Sequence, residues 1–200
     1  MLRYDECNIT RIERSVLLMN EVQAIKDRRH IAAIKNALHG RDLLLFTIGI
    51  NVGLRISDLL LLQVGDVREK DADTLTEGKT KKKRTVTLND SVKHAVATLI
   101  PEGASDDDYL FPSRKGDKPI GRVQAYRILN AAVARAGLSD VYTSFGAHSL
   151  RKTFGYFAYE SGIDITLLMR VLNHSSSRET LRYIGIEAAE VADVYHAVNL

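Results

Sequence analysis

The chain has 200 residues, 45% of them hydrophobic, a formal net charge of +3 and a single cysteine, Cys7. A chain of that size buries a core without a disulfide or metal staple, and a lone cysteine excludes both an internal bridge and a thiolate cluster, as suits a reducing compartment. Residues 1–14 mix charged and polar side chains where a secretory signal needs an apolar run, and the most apolar stretch, 43–50, is too short to span a bilayer, so a soluble, cytoplasmic protein is expected.

Residues 1–21 show no hydrophobic period and are predicted to form an arm ahead of one domain over 22–200. Apolar residues at 31, 34 and 38 predict a helix over 31–38, with Gly40 as its stop. Asp42 is the predicted N-cap of a strongly apolar helix over 43–52, broken by Gly53. A short leucine-rich helix follows over 57–63. Residues 64–88 change character, and Thr85-Val86-Thr87-Leu88 alternates polar and apolar as a strand does. A small antiparallel sheet is predicted there, with a basic run in its turn. Asn89 or Asp90 caps a helix to about 99. Residues 101–108 and 113–121 read as loops around a short extended piece, 109–111. Helices are then predicted over 122–136, ended by Gly137; from 148 to before Gly162; over 165–172; and from the capping box Ser176-Ser177-Arg178-Glu179 to Gly185, carrying Tyr183. A last amphipathic helix covers 187–198, with Ala188, Val191, Ala192, Tyr195 and Val198 on one stripe. Helices, a small sheet and more helices make one α+β domain, mainly α-helical.

The positive charge is local. Lys79-Thr80-Lys81-Lys82-Lys83-Arg84 puts five cations in six positions, and Lys26, Arg28 and Arg29 form a second cluster. Such runs are usually a solvated face, but a basic run beside a phosphate-type site is a footprint of nucleic acid. Arg114, Lys115, Arg122 and Gln124, around a helix start, are further candidates for DNA contact.

Several residues suit phosphodiester chemistry. An arginine fork binds two oxygens at once and never deprotonates, so a pair of arginines can clamp both non-bridging oxygens of a phosphate without a metal. Arg55 lies between a helix end at Gly53 and a helix start near Ser57, where backbone N–H groups add positive potential; read alone, it is a surface arginine pairing with Asp58. His148 and Arg151, at i and i+3, share one helix face. His174 precedes the capped start at Ser176 and can hydrogen-bond an oxyanion; alone, it reads as a capping or packed histidine. Tyr183 stands seven residues after Ser176, near the capped end of that helix. Its phenol is only roughly one part in a thousand ionised at neutral pH, so attack on phosphorus needs a base or strong positive surroundings. A lysine on a mobile turn can protonate a leaving oxygen, and Lys79, Lys81, Lys82, Lys83 and Arg84 compete for that role.

Taken in order, Gly53-Leu54-Arg55-Ile56-Ser57-Asp58, Gly78-Lys79-Thr80, His148-Ser149-Leu150-Arg151, Leu172-Asn173-His174-Ser175 and Arg182-Tyr183 resemble the catalytic domain of the tyrosine recombinases, the phage integrase family. The resemblance runs from about Val22 to the C-terminus and matches all six catalytic positions. It implies a mainly helical catalytic domain with a small antiparallel sheet, acting as a site-specific recombinase on duplex DNA. Arg55 and Arg151 would bind the scissile phosphate, assisted by His174. His148 would be general base toward Tyr183, which forms a 3′-phosphotyrosyl link, and Lys79 general acid for the 5′ oxygen. Lys81, Lys82, Lys83 and Arg84 would contact backbone phosphates. No cofactor, metal or ATP is implied. The expected partners are double-stranded DNA and further copies of the chain, a tetramer joined through the C-terminal helix. Most relatives carry an N-terminal core-binding domain, for which the stretch before Val22 leaves no room; the expectation is that the chain either starts inside a longer protein or belongs with short relatives such as the small bacterial inversion-switch recombinases. Rival readings are an idle DNA-binding protein of the same fold, a type IB topoisomerase, and a metal-dependent nuclease using His148, His174 and Asp106, Asp107 and Asp108.

Overall fold

The structure, a computed structural model, describes residues 22–76 and 83–186. The expected arm, the hairpin tip with Lys79, Lys81 and Lys82, and the helix expected over 187–198 lie outside the described residues.

The first helix, α1 (Arg28–Asn36), starts earlier than the apolar period shows, because Asp27 caps it by accepting from the Arg29 N–H at 2.7 Å. The opening turn is polar, so periodicity could not find it. Gly40, predicted to stop a helix, instead begins α2 (Gly40–Val52), with φ +50 after the extended N-cap His39. Asp42 is therefore not the N-cap. It sits in the first turn, paired with Arg41 at 2.8 Å. Leu44, Leu45, Phe46, Thr47, Ile48, Gly49 and Val52 of α2 are all buried, as expected of a helix apolar on every side. This helix is the centre of the molecule: α4 (Asp90–Leu99) packs on it from one direction and α6 (Ala147–Glu160) from another.

The expected helix over 57–63 is shorter, a single turn α3 (Ile56–Leu59) followed by a 3-10 turn over Val64–Asp66. Gln63 there pairs with Tyr109 across an isolated bridge, and the Leu110 N–H donates to the Leu62 carbonyl at 2.9 Å. Backbone pairing with the 109–111 piece thus competes with helix continuation. Strands β1 (Ala72–Thr76) and β2 (Lys83–Thr87) form the antiparallel hairpin, in register from Ala72 opposite Thr87 to Thr76 opposite Lys83. Buried Val86 and Leu88 anchor it to the core. The Asn89 side chain caps α4 by accepting from the Val92 N–H at 3.1 Å.

Helix α5 (Arg122–Arg135) packs through Ala125, Ile128, Leu129, Ala132 and Val133. Beyond α6, α7 (Ile165–Leu172) and α8 (Ser177–Ile184) close over a second, smaller core of Leu168, Leu172 and Ile184, with Phe154, Tyr156 and Tyr183 packed against it. At Gly155 of α6 a Cβ would meet the Ile184 side chain at 2.7 Å, so α8 rests on bare backbone. Ser176 caps α8 as predicted, accepting from the Glu179 N–H at 3.1 Å. Glu179 reaches back one residue further than the box requires, to the Ser175 N–H and hydroxyl, each at 2.9 Å. No helix among the described residues is long and apolar enough to cross a membrane.

Candidate active site

Arg151 organises the site. It is 4% exposed, and its Nη1 and Nη2 donate to the carbonyls of Gly53 at 2.5 Å and Leu172 at 2.7 Å. Those carbonyls end α2 and α7, where the helices leave acceptors unpaired and carry partial negative charge. Both acceptors help offset the cost of taking the guanidinium out of water. Its plane is fixed by the ends of two helices, one far along the chain and one next to its own.

Gly53 supplies one of those carbonyls because it leaves α2 in the left-handed region, at φ +63, where a Cβ would also meet the Phe154 ring at 2.3 Å. No other residue fits both demands. Buried Leu54 and Ile56 then pin the chain on either side of Arg55. The residue that holds Arg151 is thus two positions from Arg55, so one short segment sets both cations. Arg55 is the extended N-cap of α3, its carbonyl accepting from the Asp58 and Leu59 N–H groups at 2.9 Å. With four residues, α3 brings little of the dipole that a longer helix start would.

His148 lies in the first turn of α6, on the face that also carries Arg151. Burial pushes its ring below the ordinary imidazole range, and the charges of Arg151, Lys152 and Arg55 push it the same way. It is therefore neutral, with a lone pair to take a proton, throughout the neutral pH range.

His174 splits its two possible roles between backbone and ring. Its N–H donates to the Met169 carbonyl at 2.9 Å, closing α7 behind Asn173, which is left-handed at φ 53. The ring goes to the site: Nδ1 lies 3.1 Å from the Thr180 hydroxyl, and the ring meets Tyr183 edge-on with centroids 4.8 Å apart. Burial lowers its proton affinity; Glu179 opposes this, while Arg151 and Arg55 add to it.

Tyr183 stands in the last turn of α8, at the opposite end from the Ser176 cap and not near the capped end as its spacing suggested, because the helix is only eight residues long. Burial raises its phenol above the ordinary tyrosine range, while the charge of Arg151, a hydrogen bond to Arg151 and the charge of Arg55 pull it down. A phenol so placed is protonated at rest and surrounded by groups that favour its anion. The Lys152 ammonium lies 5.3 Å from the Tyr183 ring centroid, although Lys152 is only 5% exposed.

Five of the six predicted residues thus converge: Arg55, His148, Arg151, His174 and Tyr183 come from four separate segments onto one place. The sixth, Lys79, lies outside the described residues, as do Lys81 and Lys82. Lys83 and Arg84 fall on β2, opposite Thr76 and Leu75. Arg114 and Lys115 lie in the exposed 113–118 loop, and Arg122 and Gln124 are exposed in the first turn of α5. The acidic trio has a structural task. Asp106 pairs with Arg68 at 2.8 Å, Asp108 accepts from the Ser105 N–H at 2.8 Å, and the Asp106 and Asp108 carbonyls hold Gly65 and Val64. Among the described residues, no group of three or more His, Cys, Asp or Glu side chains is arranged to hold a metal. Lys152 and Thr180 escaped the sequence reading. A lysine beside Arg151 carried a signal only as a charge on the buried side of its helix, and Thr180 carried none.

A model of the phage integrase family matches residues 16–190. The chain is 46% identical to a probable integrase/recombinase, YoeC, of Bacillus subtilis, over 84% of this chain and 92% of that protein. It is 32% identical to the type 1 fimbriae regulatory protein FimE of Escherichia coli, over 94% of both. In fold it is similar to the XerA recombinase, with a TM-score of 0.71 at 20% identity over 90% of this chain and 66% of that one. It is also similar to the XerH site-specific recombinase bound to a palindromic difH substrate after cleavage, with a TM-score of 0.66 at 19% identity over 88% of this chain and 53% of that one.

Proposed function

The chain belongs to the phage integrase family, and from that membership we propose a residue-level account of how it cuts and rejoins DNA. It is a site-specific DNA recombinase of the tyrosine type. Arg55 and Arg151 bind the non-bridging oxygens of the scissile phosphate, and His174 contacts the same group. The Tyr183 oxygen attacks phosphorus, its proton passing to His148. The bond from phosphorus to the 5′ oxygen breaks as the new bond to tyrosine forms, and Lys79 gives that oxygen its proton. The products are a 3′-phosphotyrosyl link and a free 5′ hydroxyl. Because the link keeps the phosphodiester's energy, a 5′ hydroxyl from another strand reverses the step without ATP or metal. The roles of Lys79 and of the basic residues over 81–84 rest on the family pattern and local charge.

One observation supports this account above the rest. The buried guanidinium of Arg151, fixed by the Gly53 and Leu172 carbonyls, lies close enough to the Tyr183 phenol to favour its anion and shares its surroundings with Arg55 and His148. A nucleophile and an anion-binding fork are thereby held together before substrate arrives. The test is a suicide duplex carrying the chain's own site, nicked so that the 5′ hydroxyl is lost after cleavage. A denaturant-stable protein–DNA adduct should accumulate in the presence of EDTA. Absence of the adduct, or its dependence on added metal, would sink the account.

We also propose that residues 22–200 act as the catalytic domain on duplex DNA and assemble with further copies through residues 187–198. Support comes from the apolar stripe of that segment. Deleting it should leave cleavage of a single site largely intact and abolish synapsis; unimpaired synapsis would refute the role.

A further inference from the structure

We propose that Thr180 is a positioning residue that holds the proton of His174 on Nδ1, so that His174 grips the scissile phosphate only as an imidazolium. The inference rests on the reading of this site as a phosphate-binding one.

A threonine hydroxyl has one proton to give and two lone pairs. Thr180 is fully buried, and its Oγ1 makes two contacts: to the Ser176 carbonyl at 3.0 Å and to His174 Nδ1 at 3.1 Å. A carbonyl oxygen only accepts, so the Ser176 contact is a hydrogen bond only if the hydroxyl gives its proton there. The contact to His174 is then a hydrogen bond only if Nδ1 supplies the proton. Both bonds exist together in one arrangement, the relay Nδ1–H to Oγ1 and Oγ1–H to the carbonyl. Back-bonding of a helical threonine to the carbonyl four residues earlier favours this direction.

In a neutral ring a proton on Nδ1 leaves Nε2 bare. A bare nitrogen presents its lone pair to a phosphate oxygen, which is repulsive. To donate there, His174 takes up a second proton. The groups around it bear on that step from each side. Arg55 opposes it from the segment before α3, and Arg151 from α6, which also carries His148 and the Lys152 ammonium over the Tyr183 ring. On α8, Glu179 favours it, and Tyr183 is uncharged until it reacts. Without DNA, burial first and then the field of Arg151 and Arg55 hold the ring's proton affinity below the ordinary imidazole range. A phosphate seated between the two arginines cancels that field and attracts the second proton.

The test is the nitrogen NMR spectrum of the protein labelled in histidine, with the His174 signals assigned by their loss in His174→Gln. In DNA-free protein above the imidazole titration, the unprotonated signal should belong to Nε2; finding it on Nδ1 would overturn the proposal. Adding the cognate duplex should protonate both nitrogens, with uptake of about one proton at that ring; an unchanged spectrum in a demonstrated complex would also overturn it. Thr180→Ser should keep the Nδ1–H form and Thr180→Val should lose it. If the valine variant does not fold, the wild-type and serine spectra decide alone. The spectrum of free protein is independent of catalysis. A missing adduct with the expected tautomer would refute the phosphate-binding site, and the opposite tautomer with normal adduct would refute only the role given to Thr180.

Discussion

Arg151 and Tyr183 meet at one place but belong to differently built regions. Arg151 projects from α6 where that helix packs on α2, beside a core that runs from Ile25 to Leu150. Tyr183 rides on α8, above a core whose fully buried apolar members among the described residues are Leu168, Leu172 and Ile184. The anion-binding half is set by large buried contacts and by two helix-end carbonyls. The nucleophile's half rests on a few side chains and a glycine contact. Local opening free energies follow the amount of buried apolar surface, so the nucleophile is the part of the site that moves more readily. That difference suits a reaction in which cleavage has to await a correctly assembled substrate.

Removing Arg151 tests the fixed half most severely. Arg151→Ala strips partners from two buried carbonyls, at roughly 1–3 kcal/mol each, and should abolish adduct formation in whatever protein folds. Arg151→Lys keeps the charge but not the fork, and should still lower single-turnover cleavage by about 10²–10³-fold. Cleavage within threefold of wild type in the lysine variant would show that the fork is not used.

His148 ties the two halves together. His148→Gln should slow cleavage by roughly 10²–10⁴-fold. The proton affinity of His148 is lowered, chiefly by burial, so the base stays neutral to more acid pH than a free imidazole. The acid limb of the wild-type cleavage profile should therefore lie below the ordinary imidazole value of about 6.5, with activity lost as pH falls through it. An acid limb above that value would contradict the assignment.

The packing contrast has its own test. Leu45→Ala and Leu168→Ala each remove a fully buried leucine, at a cost of about 2–5 kcal/mol. The first should lower the melting temperature of the whole domain. The second should act mainly on amide exchange over 165–184. Equal global destabilisation by both would erase the distinction. Smaller still, Gly155→Ala should cost about 1–3 kcal/mol by overpacking, yet reduce cleavage more than stability because it displaces the helix that carries Tyr183.

Much of this was legible in the chain. The bounds of α7 and the Ser176 cap follow from local pattern, and the apolar run over 43–50 marked the central helix. What was hidden depends on partners distant in sequence. The start of α1 is polar and shows only through the Asp27 cap. Gly40 and Asp42 read as stop and cap because the helix between them has no apolar residue to announce itself. The leucines over 59–62 read as a longer helix because the 109–111 segment that pairs with them lies far along the chain. At the site, Arg151 could be placed beside His148 by spacing. Its hold on Gly53 and Leu172, the burial of Lys152 and the contact between His174 and Thr180 arise only when α2, α6, α7 and α8 are brought together.

The central claim is that Tyr183 carries the DNA. The most direct measurement is to trap the adduct on a suicide duplex, digest it with protease and nuclease, and identify the modified peptide by mass spectrometry. The account predicts a nucleotide on the peptide containing Tyr183 and no adduct from Tyr183→Phe. A nucleotide on any other residue, or an undiminished adduct in the phenylalanine variant, would contradict it.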